Sequence, residues 1–116
     1  MVRKTLAALF VIVPFLVTPA FALYGAIAYS PETGRYGDSY NYSFLGDAEN
    51  DALARCDAPD AEIVAWCRNE WCALAVADDG SYGYSSGPTQ ASAEAAALAD
   101  CTGPNAHVLV WDYSGD

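Results

Sequence analysis

The sequence predicts an α+β fold: internally duplicated strand–strand–helix–strand units forming one small, disulfide-stapled sheet-plus-two-helices domain. Three observations lead there. An eleven-residue block recurs without a gap, short apolar runs alternate with turn residues, and each copy holds an alanine-rich segment at helical spacing.

The recurring block is Cys56 to Trp66, which lies over Cys101 to Trp111 at an offset of 45 residues. Its cysteine, proline, second alanine and tryptophan are identical, and an apolar triplet precedes the tryptophan in both. Upstream at the same offset, Ala48-Glu49 matches Ala93-Glu94, and Ala52-Leu53-Ala54 matches Ala97-Leu98-Ala99. Agreement over this length marks a duplication.

Each half then reads alike. Tyr24 to Tyr29 and Trp71 to Ala77 are short small-residue runs suited to buried strands. Pro31-Glu32-Thr33-Gly34 and Asp78-Asp79-Gly80 are turn chemistry. Arg35 to Tyr42 and Ser81 to Ser86 alternate tyrosine with small polar residues, as half-buried strands do. Helices follow, with Leu45, Ala48, Ala52, Leu53 and Cys56 on one face in the first copy, and Ala93, Ala97, Leu98 and Cys101 in the second. Ser43 and Thr89 are the expected N-caps. Ala61 to Trp66 and Ala106 to Trp111 close the two units as strands. Half-repeats of about 45 residues bury too little surface alone, so residues 23–116 form one domain, with halves at about 23–69 and 70–116.

Residues 1–22 read as a secretory leader. Arg3 and Lys4 precede an apolar run from Leu6 to Val17, and Ala20-Phe21-Ala22 is a small-x-small cleavage site. A membrane span needs roughly 20 apolar residues, more than this proline-interrupted run supplies. The expected location is therefore periplasmic or secreted. Without the leader, three arginines face fifteen carboxylates, a formal charge of −12 with no lysine. Such a surface repels nucleic acid and anionic lipid and favours a cationic partner.

Export permits disulfides. Cys56, Cys67, Cys72 and Cys101 are even in number and lack the paired short spacings of a structural zinc site. They allow three pairings. Cys56 and Cys101 end equivalent helices, which makes a symmetric bridge between them one option. Cys67 and Cys72 flank the turn Arg68-Asn69-Glu70-Trp71, where a second bridge could form.

Several of these pieces resemble an exported bacterial family, domain-of-unknown-function family 4189. In the first half they are Tyr24 to Tyr29, Gly34, Tyr36-Gly37 and Ala52 to Cys56. In the second they are Arg68-Asn69, Cys72 to Ala75, Asp79-Gly80, Tyr82-Gly83, Gly87-Pro88-Thr89 and Ala97 to Ala99 before Cys101. The resemblance implies an exported α+β domain and no established activity. Members often carry a further cysteine where this chain has Ala61 and Ala106, and Cys67 stands where an aromatic or apolar residue is expected. The family's disulfide pattern is therefore not carried over.

No catalytic or cofactor signature stands out. His107 is the single histidine and its repeat counterpart is Glu62, so it reads as a surface residue of a strand. The acids Asp47, Glu49 and Asp51 fall in the opening turns of a helix, where they favour the dipole. Asp78-Asp79-Gly80 reads as a turn former. The candidate binding residues are Tyr36, Tyr40 and Tyr42, which share a face by strand parity, with Tyr82 and Tyr84. The duplication is expected to bring the two sets together as a face for protein or glycan. The leading expectation is a non-enzymatic exported binding domain without cofactor or metal, in one version an acidic inhibitor or immunity-type protein for a cationic cell-wall hydrolase. A structural envelope protein and a carboxylate-dependent hydrolase are the alternatives.

Produced in an exporting bacterial host, the mature protein should begin at Leu23, which intact-mass measurement of the extracytoplasmic fraction reads directly. A product that retains residues 1–22 contradicts the leader.

Overall fold

A computed structural model of the protein describes residues 22–115, so the expected leader up to Phe21 lies outside the described residues. The elements in chain order are β1 (Tyr24–Tyr29), β2 (Tyr36–Tyr42), α1 (Leu45–Cys56), β3 (Glu62–Arg68), β4 (Trp71–Val76), β5 (Tyr82–Gly87), α2 (Gln90–Asp100) and β6 (His107–Tyr113). Both copies of the duplicated unit are present. No helix among the described residues is long and apolar enough to cross a membrane.

The strands fall into two antiparallel sheets, one from each copy. Sheet A has the order β2-β1-β3 and sheet B the order β5-β4-β6. The central strands, β1 and β4, are nearly all small and apolar because both of their faces are covered. Ile27, Tyr29, Val64, Ala65, Cys67, Cys72, Leu74 and Val76 form the layer between the sheets. On the outer face of sheet A, Ala26 and Ala28 meet Ala48, Ala52 and Cys56 of α1. On the outer face of sheet B, Ala73 and Ala75 meet Ala93, Ala97 and Cys101 of α2. The result is four layers: helix, sheet, sheet, helix. The two sheets share a bulge at the equivalent place, with Val64 extra between Ile27/Ala28 and their partners, and Leu109 extra between Leu74/Ala75 and theirs. A bulge adds one residue and bends its strand. Here Val64 and Ala65, and likewise Leu109 and Val110, all join the middle layer.

The alanine layers are thin because the helices lie close to the sheets. At Gly37 a Cβ would fall on the Ala52 carbonyl and the Cys56 amide, and at Gly83 on the Cys101 amide and the Ala97 carbonyl. Backbone touches backbone at both sites, and neither can yield as a flexible side chain would.

Helix starts differ between the copies. Thr89 caps α2 as expected: its hydroxyl accepts from the Ser92 amide at 3.0 Å, and the Ser92 hydroxyl accepts in return from the Thr89 amide at 3.1 Å. The first helix begins one residue later than expected. Phe44, not Ser43, occupies the N-cap and makes no side-chain cap bond. Asp47 in the first turn supplies the negative charge that the helix end favours.

Cys67 and Cys72 are bridged, with their Cα atoms 5.7 Å apart. Their strands are not hairpin partners, since β3 is in sheet A and β4 in sheet B. The bond therefore ties one sheet to the other. Cys56 and Cys101 are free, buried thiols, which corrects the symmetric pairing. They end helices on opposite outer faces, with two sheets between them. Stacked sheets alone are about 10 Å apart, beyond the roughly 7 Å limit for Cα atoms of a bridged pair.

Gly83→Ala should destabilise the domain by about 3 kcal/mol or more through the backbone collision. Gly46→Ala, where an added Cβ meets nothing within 4 Å, should stabilise it by up to about 1 kcal/mol. Chemical denaturation of both variants checks the contrast.

Candidate functional site

Stacking of the sheets sets β2 against β6 along one edge and β3 against β5 along the other. The pseudo-twofold exchanges these two edges, so each tyrosine set lies on its own edge. They are not brought together, which corrects the expected single tyrosine face.

Within β2 the tyrosines separate further. Gly37 and Ser39 turn towards α1, where the Ser39 hydroxyl donates to the Ala48 carbonyl at 2.6 Å. Tyr36 and Tyr40 point the other way and are exposed. Asn41 has a left-handed φ of 62°, and the register slips beside it between Tyr24 and Ala26. The slip turns Tyr42 over to the helix side. There its hydroxyl donates to Asp51 Oδ2 at 2.9 Å, beside the Arg55 Nε–H at 3.0 Å. Those two bonds hold the Asp51 carboxyl below its usual range and leave Tyr42 a structural role. In the second copy, Tyr82 packs edge-on against Tyr29, ring centroids 5.2 Å apart, and faces the middle layer. Burial, with Glu62 nearby, raises its phenol pKa. Of the five candidates, Tyr36, Tyr40 and Tyr84 offer free aromatic surface.

Other sequence candidates are engaged locally. Asp79 accepts from the Ser81 hydroxyl and amide, and those bonds lower its pKa. Asp78 accepts from the Asn105 amide. His107 is exposed, its Nδ1 3.1 Å from the Asn105 carbonyl. Among the described residues no three His, Cys, Asp or Glu side chains cluster as metal ligands.

The open surface centres on Trp66, half exposed at 50%. It walls two adjoining grooves. One, of about 510 Å³, runs between the β3 and β5 edges and is lined by Ile63 to Trp66, Glu70 and Tyr84 to Ser86. The other, of about 790 Å³, lies by the start of α1 and includes Tyr24, Phe44, Leu45 and Arg68. Phe44 is the most exposed large apolar residue of the patch, at 70%. In the second copy the equivalent Trp111 is also exposed, at 45%, but Trp71 packs against it and against Tyr113 with centroids 5.2 and 4.8 Å away.

The other edge is closed. The Asn41 backbone N–H donates to Ser114 Oγ at 3.2 Å and its Oδ1 accepts from the Gly115 amide at 3.0 Å, so the segment after β6 straps β2. Beneath the strap, Asp112 of β6 is 5% exposed and lies beside Asp38 of β2. Burial, then the charge of Asp38, pushes its carboxyl up to about 8. Its Oδ2 has no partner among the described residues. No local spacing marks Asp38 and Asp112 as a pair, although Asp112 shares strand parity with inward-facing Val110 and its repeat counterpart is the buried Cys67.

The family model described as domain of unknown function (DUF4189) matches residues 24–112, which takes in both copies of the unit. The chain belongs to the DUF4189 family. A search of curated proteins finds no match. The DUF4189 domain is similar in structure to the NMR structure of Rv1813c from Mycobacterium tuberculosis, at 22% identity with a TM-score of 0.62. That alignment covers 97% of this chain and 94% of the other, and it speaks to the fold alone.

Proposed function

We propose that the domain is an exported, non-enzymatic binding protein that captures a cationic polypeptide along its open β3–β5 edge. The observation that carries this reading is the Trp66 groove. Its floor is the outer edge of β3, a strand paired only with β1, so main-chain donors and acceptors there are free for an extended segment. Trp66 and Tyr84 rise beside that edge as large, stiff anchors of the kind that dominate binding energy. Glu70 lines the same groove, and the charge of −12 that remains beyond residue 22 steers cationic partners towards it. The leader pattern of residues 1–22 supports a periplasmic or secreted location. A cationic cell-wall hydrolase is the partner that fits the charge, and the domain is then its acidic inhibitor.

The carboxylate-dependent hydrolase reading has less support. Asp51 is held by Tyr42 and Arg55, and Asp47 lies in the opening turn of α1.

Calorimetric titration of the protein beginning at Leu23 against a lysozyme-like enzyme tests the reading. Binding is expected at low salt and should weaken as salt rises. Trp66→Ala should cost about tenfold in affinity or more, while Tyr40→Ala on the opposite edge should leave it unchanged. A protein that neither binds nor inhibits such an enzyme at low salt refutes the proposal.

A further inference from the structure

The last strand of each copy carries, at equivalent positions, the residue that joins its own sheet to the other. In β3 that residue is Cys67, bridged across to Cys72 of sheet B. In β6 it is Asp112, which faces Asp38 of sheet A where β2 stacks on β6. Asp112 also lies directly opposite Cys72 in the β4–β6 register, so it sits within the layer between the sheets.

A carboxyl in that place needs a proton. It is almost wholly buried, its partner is another acid, and one of its oxygens is unpartnered. Two carboxylates in contact cannot both be ionised cheaply. With its proton, Asp112 donates to Asp38 and the contact is attractive. Without it, two like charges meet inside the sandwich.

We propose that Asp38 and Asp112 form a proton-shared clasp: neutral Asp112 holds the β2–β6 edge shut, and its ionisation loosens that edge while the disulfide keeps the rest of the sandwich joined.

The groups around Asp112 leave Asp38 as its electrostatic partner. From β4 it faces Cys72, which is bridged and does not titrate. From β1 the inward positions are Gly25 and Ile27, without charge, and Tyr29, which packs on Tyr82 at the other end of the layer. From β2, Tyr36 and Tyr40 flank Asp38 on the same face of the strand and are largely exposed. α2 covers the other face of sheet B, so Glu94 and Asp100 are separated from Asp112 by the sheet. On β6 itself, His107 is at the far end and Tyr113 faces outward with Trp71.

The sign follows from the carboxyl's displacement. Asp112 titrates at about 8 when folded and near 3.9 when unfolded. Between those values the folded chain holds a proton that the unfolded chain has released. The contribution of Asp112 to stability is greatest below the unfolded value. It declines as pH rises through the window and is level above about 8.

Carbon-13 NMR titration of the wild-type Asp112 carboxyl tests the clasp without any variant. The expected midpoint is near 8, with amide protection factors in β2 and β6 falling above it and those in β3 and β5 unchanged. A midpoint in the ordinary carboxylate range overturns the proposal. Denaturation from about pH 5 to 8 adds a second readout: the Asp112 proton contributes up to about a tenfold loss in folding constant per pH unit. Asp112→Asn keeps a donor towards Asp38 and should remove that part of the slope. If wild type and Asp112→Asn decline in parallel, the clasp is likewise excluded.

Discussion

Helix backbone stands where a side chain would be at Gly37 and Gly83, and much of the architecture follows from that contact. Because the helices press so close, the residues beneath them must be small, hence the alanines at 26, 28, 48 and 52 and at 73, 75, 93 and 97. Such thin layers bury little area per residue, so the larger apolar side chains concentrate between the sheets, where Ile27, Leu74, Val64 and Val76 meet. The hydrophobic gain scales with the area removed from water. The middle layer is therefore the energetic centre, and the outer layers fix geometry.

The strand–strand–helix–strand order occurs twice and gives two edges built alike, and the residues on them differ. One edge is closed by Asp38, Asp112 and the strap from Ser114 and Gly115 to Asn41. The other is left with Trp66, Tyr84 and a free strand edge. Exposed strand edges invite pairing with another chain, so a fold that covers one and leaves the other open has chosen where contact occurs. The same contrast appears on the outer faces. Trp111 packs on Trp71, which in turn meets Tyr113, whereas Trp66 walls a groove.

The element order was legible because each copy corroborates the other: a weak strand signal at Tyr24 is strengthened by its match at Trp71, and the helix ending in Cys56 by that ending in Cys101. Thr89 was legible as a cap because capping is a matter of a few adjacent residues. What parity could not show was the slip at Asn41, where one left-handed residue sends Tyr42 to the other face. Pairings between the sheets were also out of reach. Asp38 meets Asp112 across most of the chain, and the failure of Cys56 to meet Cys101 depends on which face each helix covers. Trp66 was visible as an aromatic, but its groove depends on β5 lying alongside β3.

Among the described residues no strand passes from one sheet to the other. Each sheet takes its three strands from consecutive stretches of its own half, and the crossing point is the short turn that follows Cys67. The contacts that define a sheet are thus local in sequence, which favours rapid formation. As the chain emerges in order, sheet A and its helix can be complete before Trp71 of β4 is available. Assembly of the whole then resembles association of two subunits on a very short tether, with a high effective concentration of one half for the other.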